Sequence, residues 1–179
     1  MMKKLMQMDG WILLWLQENI RTPILTKFFT FITKLGNVGF VWIFICIVML
    51  FQKKNRKTGI MGICAILCSF GVNNLILKNL VGRSRPFDQI SDLIPLIEKP
   101  VDLSFPSGHT ACSFAVSVLI YRHLPKCYGI PALILAFLIS FSRLYLGVHY
   151  PSDVLFGMFS GSCMALAGEK FVKHQMQEK

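Results

Sequence analysis

Five long apolar segments constrain the fold more than any other feature of the sequence. They cover residues 35–51, 58–81, 107–123, 128–147 and 152–172. A helix that crosses a bilayer needs about 20 mostly apolar residues, or about 17 at the lower limit, and each segment reaches that length. Because an open sheet edge cannot satisfy its backbone hydrogen bonds in hydrocarbon, these segments are predicted to be helices. The composition agrees, since 54% of the residues are hydrophobic and only 16% are charged.

The first 34 residues form two shorter apolar pieces, 9–20 and 22–34, joined at Arg21-Thr22-Pro23. They are either one broken span or an interfacial helix followed by a short span. The stretch "WILLWL" after two lysines resembles a signal peptide, but Asp9, Glu18 and the lack of a small-residue cleavage site favour a retained segment. We therefore predict an all-α polytopic membrane helix bundle of about six transmembrane helices, in one integral-membrane domain over residues 1–179.

The distribution of positive charge predicts the topology. The net charge is +10, and the Lys and Arg residues lie mostly in short clusters between apolar segments, which favours a phospholipid bilayer as partner and argues against nucleic acid. If the long connection 86–105 lies on one side, the cations on the other side are Lys3, Lys4, Lys53, Lys54, Arg56, Lys57, Arg122, Lys126, Lys170, Lys173 and Lys179. The loop side has only Lys78, Arg83, Arg85, Lys99 and Arg143. The positive-inside rule then predicts a multi-pass protein of the cytoplasmic membrane with loop 86–105 outside.

The connection 86–105 is itself a candidate functional element. Polar loops longer than about 12–15 residues are uncommon unless they have a function. We expect a lid or a substrate-facing segment, whose "SDLIPLIE" portion could lie on the membrane surface.

Three polar motifs lie where apolar segments meet this loop side, and the first contributes positive charge. In "KNLVGRSRP", Lys78 and Arg85 are seven residues apart, which predicts nearly the same helical face, with Pro86 ending the helix. Arg143 is expected near the end of the fourth long segment, 128–147. Cations at a membrane edge are functional candidates, so these three indicate an anion site. Arg83 lies off the predicted face and is expected to be solvated or to face lipid headgroups.

The second motif is "PSGH" at residues 106–109. Pro106 suits the first position of a helix, Ser107 can cap it, and Gly108 lets its backbone N–H approach a ligand closely. Together they predict an anion-binding site at a positive helix end, with phosphate as the expected anion. His109 would lie within reach of a bound oxygen.

The third motif, "SRLYLGVHYPSD", adds a histidine and an acid. Because Tyr150 precedes Pro151, His149 is predicted on an exposed turn and Asp153 in the first turn of a helix. Asp153 can then accept the Nδ1–H of His149 and leave Nε2 as a nucleophile. A structural helix-capping pair is the alternative.

In order and spacing, these motifs resemble the signature of the type 2 phosphatidic acid phosphatase superfamily: K-x6-RP, PSGH and SR-x5-H-x3-D. The resemblance implies a six-helix membrane phosphatase that uses no metal and no cofactor. It implies that phosphate is bound by Lys78, Arg85, Ser107, Gly108 and Arg143. It also implies that His149, oriented by Asp153, attacks phosphorus to form a phosphohistidine, while His109 protonates the leaving oxygen.

The expected substrate is a lipid phosphate or diphosphate, with a polyprenyl (undecaprenyl) diphosphate as first choice. Phosphatidylglycerophosphate, phosphatidate and diacylglycerol pyrophosphate are alternatives. A lipid phosphotransferase and a non-catalytic membrane binding or scaffold protein also remain open, and the sequence does not identify a protein partner.

Two further patterns receive structural interpretations. Gly157 and Gly161 form a GxxxG pattern, which predicts close helix packing inside the bundle or a dimer seam. Asp88 and Asp92 could hold Mg²⁺, but we expect a solvated loop face.

Overall fold

The computed structural model describes residues 2–177, and within that range all regular structure is helical. Lys179 and the side chain of Lys3, both counted above among the cations opposite the loop, lie outside the described residues. The helices are α1 (Met2–Asn19), α2 (Pro23–Leu35), a 3₁₀ turn (Asn37–Gly39), α3 (Phe40–Phe51), α4 (Arg56–Ser69), a π-helical segment (Phe70–Leu77), α5 (Lys78–Val81), α6 (Pro86–Gln89), α7 (Gly108–His123), α8 (Lys126–Tyr145) and α9 (Pro151–Gln177).

The observed helices follow the five long predicted segments, with boundaries that differ by up to five residues, whereas α1 begins seven residues before the predicted piece 9–20. The break between α1 and α2 falls at the predicted place, because Thr22 caps α2 through a hydrogen bond from the Leu25 N–H and Pro23 occupies its first turn. Among the described helices, the Arg56–Gln89 stretch and α8 are long and apolar enough to cross a membrane. The pair Pro23–Leu35 and Asn37–Phe51, bent by 48°, makes a third if it counts as one span.

Helix α7 lies at the centre of the bundle and packs against α4, α8 and α9. Small residues permit the closest of these contacts. A Cβ atom added at Gly161 would lie 2.2 Å from the Ala111 carbonyl oxygen, and one added at Gly157 would lie 2.9 Å from the Ser107 carbonyl oxygen. The GxxxG pattern therefore packs inside the bundle, which was the first of its two interpretations.

The chain after Lys78 departs from the predicted geometry. Helix α5 ends at Val81 because Gly82 adopts a left-handed conformation (φ 61°), which a glycine tolerates at no steric cost. Arg85 is extended, as the residue before a proline tends to be, and Pro86 begins α6. The prediction that Lys78 and Arg85 share a helical face, with Pro86 ending that helix, is therefore wrong.

The start of α7 is shifted by two residues from the expected position. Ser107 is the N-cap and Gly108 is the first helical residue, so Pro106 precedes the helix. The capping role of Ser107 is as predicted, because its hydroxyl accepts a hydrogen bond from the Thr110 N–H.

Candidate active site

The three motifs surround one cavity of about 790 Å³. Six of the eight predicted site residues line it: Lys78, Arg85, Gly108, His109, Arg143 and His149. The other two, Ser107 and Asp153, are fully buried next to lining residues. The structure thus brings side chains from three distant segments to a single chamber.

Lys78 and Arg85 meet through a carboxylate that the sequence did not single out. Nη2 of Arg85 donates to Oδ1 of Asp102 at 2.6 Å, and its Nε donates to the Asp102 carbonyl oxygen at 2.8 Å. Nζ of Lys78 donates to the other carboxylate oxygen of Asp102. Burial opposes ionisation of Asp102, but the hydrogen bonds and charges of Lys78 and Arg85 outweigh it and lower the pKa of Asp102 to about 2. Lys78 and Arg85 do not share a helix, and the carboxylate of Asp102, in loop 86–105, brings the two cations together.

Arg143 enters the cavity from the end of α8 and is buried. Nη1 donates to Oγ1 of Thr33 on α2 at 2.8 Å. Its Nε is buried and finds no hydrogen-bond partner among the described residues. Burying a guanidinium N–H without a hydrogen-bond partner costs free energy. The geometry of Arg143 therefore indicates an anion-binding side chain whose free donor would be satisfied by the anion.

The N-terminus of α7 forms the opposite wall. A Cβ atom at Gly108 would lie 3.0 Å from Oδ1 of Asn74, on the π-helical segment, so a glycine lets the Asn74 side chain lie close to the first turn of α7. In the next position, Nε2 of His109 lies 3.0 Å from Oδ1 of Asn37. The hydroxyl of Ser107 caps α7 and also accepts from Oγ1 of Thr110 at 3.0 Å.

His149 is buried at 2% exposure, which corrects the prediction of an exposed turn. The turn between α8 and α9 is covered because Tyr145, Leu146 and Val148 pack into a hydrophobic cluster with Phe29. Burial lowers the pKa of His149 to about 3; the nearby carboxylate of Asp153 offsets this in part, and nearby arginine charges add to it. The imidazole is therefore neutral at physiological pH, as a nucleophile must be.

The neighbours of His149 determine which ring nitrogen carries the proton. Nη1 of Arg85 lies 3.3 Å from Nε2, and because a guanidinium only donates hydrogen bonds, Nε2 must be the acceptor. The proton then lies on Nδ1, which is 3.5 Å from Oδ2 of Asp153, a longer contact than an ordinary hydrogen bond. This arrangement directs the Nε2 lone pair toward the arginines, where a phosphate would lie.

Arg83 is not solvated, which corrects the expectation stated above. Its guanidinium forms ion pairs with Asp9 of α1 and Asp153 of α9, and its side chain is 14% exposed. Sequence reasoning missed both Asp9 and the pairing, although an acid at the edge of an apolar helix was a signal that a cation lies nearby.

The remaining predicted features lie away from this chamber. Asp88 and Asp92 are exposed, as expected for a solvated loop face. No group of three or more His, Cys, Asp or Glu residues that could hold a metal ion occurs within residues 2–177.

Comparison with known proteins gives the family. The model of the PAP2 superfamily matches residues 59–177. An undecaprenyl-diphosphatase of Sulfolobus acidocaldarius is 34% identical over 132 residues, which are 74% of this chain and 63% of that protein. The phosphatidylglycerophosphatase B of Bacillus subtilis is 36% identical over 158 residues, 79% of this chain and 72% of that protein.

A solved structure resembles nearly the whole chain. The crystal structure of a transmembrane PAP2-type phosphatidylglycerolphosphate phosphatase from Bacillus subtilis superposes with a TM-score of 0.77 at 30% identity, covering 94% of this chain and 86% of that one. The family match covers all three motifs, helices α7, α8 and α9 and most of α4, and the structural match extends it toward the N-terminus. The chain belongs to the PAP2 superfamily.

Proposed function

We propose that this protein is a metal-independent membrane lipid phosphatase that works through a phosphohistidine on His149. The observation that carries the proposal is the cavity in which a neutral, buried imidazole lies beside three cationic side chains: Lys78, Arg85 and Arg143. Ordinary structural ion pairs do not need a cavity, whereas a phosphate site does.

In the first step, Nε2 of His149 attacks phosphorus and the bond from phosphorus to the lipid oxygen, or to the bridging oxygen of a diphosphate, breaks. His109 gives its proton to that leaving oxygen. In the second step His109 accepts a proton from water, the water oxygen bonds to phosphorus, and the bond from phosphorus to Nε2 breaks. Inorganic phosphate leaves, and both histidines return to their starting protonation states.

Charge stabilisation supplies most of the catalysis in this proposal. Negative charge spreads over three equatorial oxygens in the transition state of phosphoryl transfer. In this proposal those oxygens are bound by Arg85, Arg143, Lys78 and the N–H groups at the start of α7, all of which line the cavity. Losing one such donor typically costs about 10²–10³ in rate. Three fixed cations thus supply the charge that a metal ion supplies in other phosphatases.

The proposed substrate is a polyprenyl diphosphate, with undecaprenyl diphosphate as first choice. Apolar side chains line the cavity beside the cations, among them Val38, Ile66 and Phe70, and Val38 and Phe70 are also exposed on the outer surface. A lipid tail could follow this apolar wall while its phosphate meets the arginines. The similarity to an undecaprenyl-diphosphatase supports this choice.

Phosphatidylglycerophosphate is the second candidate. A relative named for that activity matches a larger share of this chain, and so does a solved structure. Phosphatidate and diacylglycerol pyrophosphate remain within the same substrate class. A lipid phosphotransferase would use the same phosphohistidine but transfer the phosphoryl group to a second lipid.

We further propose a single domain over residues 1–179 with about six spans and a cavity that opens on the external face of the cytoplasmic membrane. The N-terminal segment 1–34 would supply the interfacial or first-span helix, and loop 86–105 would lie outside. The proposal rests on the positive-inside distribution of Lys and Arg. Labelling of cysteines introduced at the exposed residues Asp88 and Lys53 in intact cells tests it: an impermeant reagent should reach position 88 and not position 53.

The function is tested by phosphate release from purified protein in detergent. The panel contains polyprenyl diphosphate, phosphatidylglycerophosphate and phosphatidate, each with and without a chelator, with the His149→Ala variant as control. We expect release that survives the chelator, is highest for polyprenyl diphosphate and is absent in the variant. Transfer of the phosphoryl group to an added acceptor lipid, without release of inorganic phosphate, would establish a phosphotransferase instead.

A further inference from the structure

A largely buried charge cluster includes Asp153 and extends away from His149, and Asp153 is its one member that belongs to the family signature. We name it the Arg83 cluster: Asp9, Arg83, Ser152 and Asp153. Nη1 of Arg83 donates to Oδ1 of Asp153 at 2.6 Å and to Oγ of Ser152 at 2.7 Å. Nη2 donates to Oδ2 of Asp9 at 2.7 Å. One guanidinium thus connects two carboxylates from the first and last helices of the chain.

Packing fixes the orientation of this guanidinium. Its central carbon lies 3.8 Å from the centroid of the Tyr150 ring, within the range of a cation–π contact. Asp9 is 3% exposed and also accepts hydrogen bonds from the backbone N–H and the hydroxyl of Ser152. Asp9 therefore holds both Arg83 and the first turn of α9, where Asp153 lies.

The contacts of Asp153 show what the Arg83 cluster does for the dyad. The torsion that rotates a carboxylate is broad, so a carboxylate keeps one orientation only when both oxygens are held. Oδ2 accepts from Oγ of Ser104 at 2.5 Å and from the Tyr150 N–H at 3.0 Å, and it is the oxygen that faces Nδ1 of His149. Oδ1 is held by Arg83. Without Arg83, that second oxygen loses its charged partner and Asp153 is able to turn.

We infer that Arg83 is a positioning residue of the phosphatase reaction, and that Asp9 of α1 anchors it. Arg83 is not among the residues that line the cavity, so it acts through Asp153. Asp9 lies outside residues 59–177, where the family model matches, so α1 contributes to the site from beyond the matched region. The inference rests on the proposed function, because it assigns these residues to the reaction of His149.

The test measures kcat and KM for phosphate release by Arg83→Gln, Arg83→Lys and the double variant Asp9→Asn/Arg83→Gln. A misplacement of about 1 Å can cost about 10²-fold in rate. We expect Arg83→Gln to lower kcat by about 10- to 100-fold with KM changed less than about threefold, and Arg83→Lys, which keeps the charge, to recover part of kcat. A merely structural role would lower the amount of folded enzyme and leave kcat per folded molecule unchanged.

The matched control removes an ion pair of the same kind far from the cavity. Arg122 donates to the buried Glu169 at 2.8 Å between α7 and α9. The variants Arg122→Gln and Arg122→Gln/Glu169→Gln should keep wild-type kcat. If Arg83→Gln fails to fold, the double variant Asp9→Asn/Arg83→Gln decides. It also removes the negative charge of Asp9, which Arg83→Gln alone would leave buried without a positive partner.

The outcomes separate this inference from the proposed function. A wild-type kcat in folded Arg83→Gln, or in the double variant, overturns the role of Arg83. If His149→Ala is inactive in the same assay, the proposed function still stands. Absence of phosphate release by the wild-type protein on every substrate overturns the proposed function itself.

Discussion

Nη2 of Arg85 donates a 2.6 Å hydrogen bond to Oδ1 of Asp102, whose second oxygen bonds Lys78. A carboxylate from loop 86–105 therefore lies between two of the three cations that a substrate phosphate would contact. Because the pKa of Asp102 is lowered to about 2, this carboxylate is negative at every pH at which the enzyme would work. A substrate phosphate must compete with it for the same donors.

Replacing Asp102 by Asn should therefore strengthen substrate binding. The change removes the competing charge but keeps the size of the side chain, and a hydrogen bond to a charged group contributes about 1.5–3 kcal/mol. We expect KM for the lipid substrate and the inhibition constant of inorganic phosphate both to fall by about tenfold. Steady-state kinetics on the purified variant checks both values.

The control for that experiment is Asp88→Asn, on the exposed face of α6 in the same loop. It should leave both constants unchanged. A higher KM in Asp102→Asn would mean that the carboxylate organises the cations for substrate, and the competition described here would be wrong.

Close packing of α9 against α7 should be required for the alignment of the two histidines. A methyl group at position 161 would lie 2.2 Å from the Ala111 carbonyl oxygen, a backbone atom that cannot move alone. Overpacking of this kind costs about 1–3 kcal/mol. We expect Gly161→Ala to lower the thermal unfolding midpoint in detergent and to reduce kcat, because α7 carries His109 and α9 begins two residues after His149.

Gly71→Ala provides the comparison for Gly161→Ala, since nothing lies within 4 Å of a Cβ atom at Gly71. Its unfolding midpoint should equal that of the wild type or exceed it slightly. Equal midpoints for the two alanine variants would show that α7 and α9 are not packed as described.

The low pKa of His149 predicts how stability depends on pH. In the unfolded chain His149 becomes protonated below its ordinary pKa of 6.5, whereas in the folded protein it stays neutral until about pH 3. The contribution is complete above pH 6.5, and it decreases by up to about 1.4 kcal/mol per pH unit as the pH falls toward 3. Asp102 does not affect stability in this pH range. Its pKa is lowered from 3.8 to about 2 in the folded protein, so its contribution to the free energy of unfolding decreases only below pH 3.8.

Thermal unfolding of the wild type and of His149→Asn at pH 7.5, 5.5 and 4.5 isolates that contribution, since the other titrating groups are common to both proteins. The wild type should lose stability more steeply between pH 6.5 and 4.5. Parallel curves would show that His149 titrates in the folded protein as it does in water.

The sequence predicted the helices well, because apolar run length, proline and N-cap residues are local signals. Thr22 caps α2 just before Pro23, and Ser107 caps α7, although α7 begins at Gly108, two residues after the predicted start. The left-handed Gly82 was not foreseen, although a glycine after a helical run is a common end signal.

Partners that come from distant parts of the chain could not be predicted. Asp9 and Arg83 are 74 positions apart, and Asp102 reaches Lys78 only because loop 86–105 folds over the cavity. The burial of His149 depends on the cluster formed by Phe29, Tyr145 and Val148, which also joins separate helices. These contacts follow from tertiary packing, for which a single sequence has no periodic pattern.

The covalent intermediate is the most direct test of the account. Wild-type protein is mixed with substrate carrying a ³²P-labelled terminal phosphate and is quenched within milliseconds, and the bound label is located by mass spectrometry of its peptides. We expect an acid-labile, base-stable phosphoryl group on His149, and no label in His149→Ala. Label on another residue, or normal turnover by His149→Ala, would contradict the role of His149 as nucleophile.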